Sequence, residues 1–134
     1  MHLHFRESIL FFTVCLLLSV TGYAQTAGTA TITVTQPLVR PTGTSAAKII
    51  ITVNGVQVSQ LTSNGESFSQ IAQDIAAAFP NTGAPVTAVA SGSTIRLTAT
   101  TTGRATNYSL SCSIQAPKVP TFALSCPSTL TGGN

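Results

Sequence analysis

Along most of this chain apolar and polar residues alternate, and in one stretch they recur at helical spacing. Thr29 to Thr35 alternates strictly. Ala30, Ile32 and Val34 face one way, and Thr29, Thr31, Thr33 and Thr35 face the other. Period-two alternation marks a half-buried strand. Gln36 to Ala47 contains Pro37, Pro41 and Gly43 and reads as a loop. The organising stretch, Ile49–Thr100, follows as a hairpin, a helix and a second hairpin. Asn54-Gly55 is the preferred pair for a two-residue type I′ turn, because both positions need positive φ. That turn places Val53 opposite Val56 and Ile51 opposite Val58, on one inward face. Ile50, Thr52, Gln57 and Ser59 fall on the outer face. Ile50 is the apolar exception there, either covered by another segment or marking an interface.

Ser63-Asn64-Gly65 breaks the strand. Ser67 is a good N-cap, and Gln70 three residues later predicts a capping box. Phe68, Ile71, Ala72, Ile75, Ala78 and Phe79 then form an apolar stripe, with Gln70, Gln73 and Asp74 on the polar face. Pro80 ends the helix, and the stripe is expected to pack on the apolar face of the hairpins. Val86–Ala90 joins Thr94–Thr100 through Ser91-Gly92-Ser93, with Ile95, Leu97 and Ala99 inward and Arg96 outward. Thr106 to Ser113 reads as another strand, with Tyr108, Leu110 and Cys112 on one face. Thr121 to Ser125 is a short last strand. Pro127 to Asn134 reads as a loosely held tail with Leu130 as its anchor. The expected fold is α+β: a small antiparallel β-sheet or sandwich of about six strands with one packed helix. Its β-β-α-β-β core is 49–113, and a C-terminal strand and tail occupy 121–134.

The N-terminus changes the compartment. Arg6, the apolar run Ile9 to Val20 and the small-residue site Gly22-Tyr23-Ala24 form a secretory signal pattern over residues 1–24. Cleavage after Ala24 leaves a single β-rich module, 25–134, that is secreted or held at the cell surface. The alternative is an uncleaved anchor, but the run is shorter than the roughly 18–20 residues a spanning helix needs. Cys112 and Cys126 remain as a pair, and in an exported chain they read as a disulfide. It would close a loop of about 15 residues, worth on the order of 3 kcal/mol. Two buried free thiols are the alternative. Charged residues are 7% of the 134-residue chain and hydrophobic residues 43%, which argues against disorder.

Chemistry is sparse. Both histidines, His2 and His4, lie in the leader, and the module's only carboxylates are Glu66 and Asp74. No acid–base pair, activated nucleophile, metal-ligand set or phosphate loop is legible. Arg40, Arg96, Arg104 and Lys118 are scattered, without the clustering and stacking aromatics of a nucleic-acid site. The expectation is a non-enzyme with no cofactor, no metal, no nucleic-acid partner and no membrane contact after cleavage. Candidate contacts are the Thr29, Thr31, Thr33 and Thr35 row, Ile50, Arg96, and any sheet edge left open. The expected partners are other protein chains or copies of the same module. A carbohydrate or cell-surface polymer is the alternative ligand.

Several segments resemble a known module. They are Ile51-Thr52-Val53-Asn54-Gly55, the capped Ala-rich helix, Pro85-Val86-Thr87-Ala88 and Ile95-Arg96-Leu97-Thr98-Ala99. Gly103-Arg104-Ala105-Thr106-Asn107-Tyr108-Ser109-Leu110 and Leu130-Thr131-Gly132-Gly133 complete the set. Together they are similar to a Thr/Gly-rich β-β-α-β-β repeat module of large exported bacterial proteins, some with Rhs-type repeats. The likeness spans roughly Thr29 to Gly133, and Gly-x-Ala-x-Asn-Tyr-x-Leu is its most specific pattern. The core is more loosely similar to a domain of contractile phage tail sheath proteins. The resemblance implies a structural or adhesion module, commonly repeated, with no catalytic residues to carry over. This chain departs from it in having one copy, and in Cys112 and Cys126, which stand where such modules have small polar residues.

Overall fold

The computed structural model describes residues 23–37, 46–116 and 120–134. The signal pattern up to residue 22, the loop centre with Arg40, Pro41 and Gly43, and Pro117-Lys118 lie outside the described residues. The elements are β1 (Thr29–Thr35), β2 (Lys48–Val53), β3 (Val56–Leu61), α1 (Phe68–Ala78), β4 (Val86–Ser91), β5 (Thr94–Ala99), β6 (Leu110–Gln115) and β7 (Ala123–Ser125). A short 3-10 turn, Arg104–Thr106, precedes β6. The fold is α+β, with seven strands in two antiparallel sheets among the described residues. One sheet runs β4-β5-β1-β7 and the other β3-β2-β6. The two hairpins therefore sit in different sheets.

Local chemistry accounts for each hairpin. Asn54 and Gly55 take φ of 49° and 80°. Val53 pairs with Val56 and Ile51 with Val58, as a type I′ turn requires. In the second hairpin Ser91 pairs with Thr94, so the loop is Gly92-Ser93, one residue shorter than expected. Gly92 takes φ of 56° and Ser93 stays negative, the requirement of a type II′ turn.

The helix starts on Ser67, whose hydroxyl accepts from the Gln70 N–H at 3.2 Å. Only this half of the expected capping box forms. The Gln70 amide instead donates to Asp74 Oδ1, 2.9 Å away one turn further on, where the charged acceptor makes the stronger bond. Ile71, Ala72 and Ile75 are buried along the helix, as is Phe79 at its C-cap. The helix lies chiefly on β4 and also touches β5, β1 and, in the other sheet, β3. It joins β3 to β4 in the chain and lies against both strands. Ile32, Ile95 and Leu97 from one sheet meet Ile49, Ile51 and Val53 from the other in a single apolar cluster with this helix face. Burying each large side chain there stabilises by roughly 1.5–3 kcal/mol.

Two expectations fail at the C-terminal end. The strand expected from Thr106 begins only at Leu110. Gly103 turns the chain with φ of 107°. Thr106, itself buried, donates from Oγ1 to the Gly103 carbonyl at 2.6 Å, which closes the 3-10 turn. The tail is not loosely held. Thr131 exchanges both main-chain bonds with Thr29 of β1 (2.8 and 2.9 Å). Leu110 N–H of β6 donates to Ser128, and Leu130 N–H donates to the Tyr108 carbonyl. The C-terminal segment thus bonds to both sheets and links them at this seam.

Candidate interaction surfaces

Each candidate contact can be placed. On the outer face of the four-stranded sheet, Thr29 lies opposite Thr98, Thr31 opposite Arg96, and Thr33 opposite Thr94 and Ser125. Thr31 and Arg96 are exposed, while Thr29, Thr33 and Thr35 are partly covered. The strands lie about 4.8 Å apart, so the hydroxyls form a grid around a single guanidinium. Ile50 belongs to the other sheet. It is half-buried between Ser59 and Ser113 on its neighbouring strands. The structure therefore brings Arg96 together with the threonine row and leaves Ile50 apart.

Two exposed apolar side chains were missed at the sequence level. They are Val89, 66% exposed on β4, and Leu61, 69% exposed at the end of β3. Val89 did carry a signal, because Val86, Ala88 and Ala90 already supply the inward positions of that strand. Among the described residues β4 also ends its sheet. Thr100 N–H donates to the Pro85 carbonyl at 3.0 Å. By antiparallel alternation, the main-chain groups of Thr87, Val89 and Ser91 also face β5. Those of Val86, Ala88 and Ala90 point outward, and no strand pairs with them among the described residues. The strand Val-Thr-Ala-Val-Ala-Ser carries no charge and no proline, and its register with β5 is unbroken. Charge, proline and a bulge each blunt an edge against pairing, and β4 carries none of these three.

The opposite seam is closed. Cys112 of β6 and Cys126, just after β7, form a disulfide with Cα atoms 6.1 Å apart, so the bond ties one sheet to the other. Cys112→Ser combined with Cys126→Ser is expected to lower stability by about 3 kcal/mol, read as a lower urea midpoint with a somewhat steeper slope, because the unfolded chain without the cross-link exposes more surface. An unshifted midpoint would show the cross-link to be redundant with the C-terminal hydrogen bonds.

Thr106 and Asn107 lie at the centre of Gly-x-Ala-x-Asn-Tyr-x-Leu, and their contacts are internal. Thr106 Oγ1 accepts from the Gly28 N–H at 2.8 Å. The Asn107 amide accepts from Gly133 N–H at 2.9 Å and donates to the Gly133 carbonyl at 3.3 Å. The pattern clamps the start of β1 and the C-terminal segment.

Glu66 and Asp74 do not converge. Asp74 bonds to Gln70. Glu66 precedes the N-cap, and its Oε2 is buried with no hydrogen-bond partner among the described residues. Among the described residues no three of His, Cys, Asp and Glu gather as a metal site, and no helix is long and apolar enough to cross a membrane. No family model matches this chain, and no curated protein matches it.

Proposed function

We propose that this chain is an exported structural or adhesion module that acts through protein–protein contact and carries out no catalysis. The observation that carries the reading is the β4 edge. It presents three residues whose outward main chain has no partner strand among the described residues, in an uncharged strand with Val89 exposed beside them. An added strand would satisfy those groups and cover Val89, which is how edge recognition derives its affinity. The resemblance to exported repeat modules points the same way, and so does a cysteine pair that the fold sets at disulfide distance. The threonine grid around Arg96 suits a polysaccharide less well, because its rows carry no aromatic platform.

The reading predicts concentration-dependent association of the purified chain in sedimentation. Val89→Lys is expected to weaken it at least tenfold while leaving the unfolding free energy within about 0.5 kcal/mol of wild type. A wild-type chain that stays monomeric at every concentration and recruits no partner strand would overturn the reading.

A further inference from the structure

We propose that the seam holding residues 128–134 is a peptide-recognition site, and that a second copy of this chain can fill it with the same segment. The present occupant is held as a bound strand is held. Thr29 of β1 bonds it on one side, and Leu110 and Tyr108 bond it on the other. Its side chains are also selected. Leu130 is fully buried in the core cluster. Gly132 takes φ of 85°, which favours glycine. At Gly133 a Cβ would overlap Thr106 Oγ1 and the Gly103 carbonyl oxygen. Asn107 reads the Gly133 main chain from both N–H and C=O. The site therefore specifies a Leu-x-Gly-Gly peptide that turns at its first glycine, and Leu130-Thr131-Gly132-Gly133 is the only such run in this chain.

The segment can leave with β7 still tethered, at the cost of Leu130's burial and its main-chain bonds. The disulfide holds Cys126 against β6, so β7 and Phe122 stay in place when residues 127–134 detach. Beyond Cys126, Leu130 is the one side chain lost from the core cluster. A segment joined to the fold through a short hinge is an element that copies can exchange, because the same contacts re-form in the partner. This site lies on the β6–β1 side and is independent of the β4 edge.

The test uses the full chain, its Gly133→Ala variant and a labelled peptide of sequence Pro127–Asn134. Alanine spoils the fit of the variant's own segment and vacates the seam. The variant is expected to bind the wild-type peptide at least tenfold more tightly than the wild-type chain does, by fluorescence anisotropy. A peptide carrying Gly133→Ala should not bind. If the variant does not fold alone, the wild-type peptide should restore its cooperative melt. Refolding the oxidised wild-type chain at high concentration should give a dimer that Gly133→Ala removes. Equal binding by both chains, no binding or rescue at all, or no dimer on refolding would overturn the proposal. Val89→Lys should leave peptide binding unchanged, which separates this site from the β4 edge.

Discussion

Ile75→Asp is expected to leave the chain without a cooperative unfolding transition. Ile75 is 1% exposed and lies mid-helix, where α1 touches strands of both sheets. The substitution removes roughly 1.5–3 kcal/mol of apolar burial. It also sets a carboxylate among Ile, Leu and Val side chains, and an unpaired buried charge costs several kcal/mol more. A domain of this size has only about 5–15 kcal/mol of stability to lose. Because the helix packs on both sheets, its displacement uncovers the inner faces of both. Circular dichroism on heating should show a broad, sloping signal from low temperature. A sharp melt near the wild-type midpoint would mean that the helix is not part of the core.

Leu130→Ala is expected to destabilise by about 2–5 kcal/mol and to lower Tm by about 10 °C or more. Leu130 is 0% exposed although it stands in a run of Thr, Ser and Gly. Its removal leaves a void at the point where the C-terminal segment joins both sheets. Leu61→Ala is the matched control, because that leucine is 69% exposed and should change stability by no more than about 0.5 kcal/mol. The pair of melts separates a tail that merely rests on the fold from one that holds it together. Equal, small shifts for both leucines would favour the former.

What was legible in the sequence follows from how far apart the determinants lie. The Asn54-Gly55 hairpin was readable in register because its turn and its alternation are adjacent in the chain. The helix was readable for the same reason, as Ser67, the Phe68–Phe79 stripe and Pro80 are contiguous. The sheet to which each hairpin belongs was not readable. It depends on β1 pairing with β5 and β2 pairing with β6, contacts about sixty residues apart that no local pattern encodes. The tail is half legible: Leu130 is its anchor, as expected, but its firm hold comes from main-chain bonds to Thr29 and Tyr108, which lie far upstream. Thr106 was placed in a strand because it fits the alternation, whereas its hydroxyl serves a 3-10 turn and the Gly28 N–H. Among the candidate contacts, the outward direction of Arg96 and the threonines was legible from period two. The open edge was not assigned to a strand, since which strand ends a sheet is a property of the whole topology.

The meeting of Thr26 with Asn134 has a mechanical consequence. Each donates its N–H to the other's carbonyl, at 3.1 and 3.3 Å, and the next main-chain exchange inward is Thr29 with Thr131. Tension applied between these two residues pulls on adjacent points of an antiparallel pair. It therefore breaks the bonds one after another, as a zipper opens, and does not load them in parallel as shear does. The first resistance is low, and the segment peels from Asn134 back towards Pro127. There the covalent bridge between Cys112 and Cys126 takes over, and the residues between the two cysteines cannot add to the extension. Under tension the module would yield early at this seam, and the bridged loop would add nothing to its length.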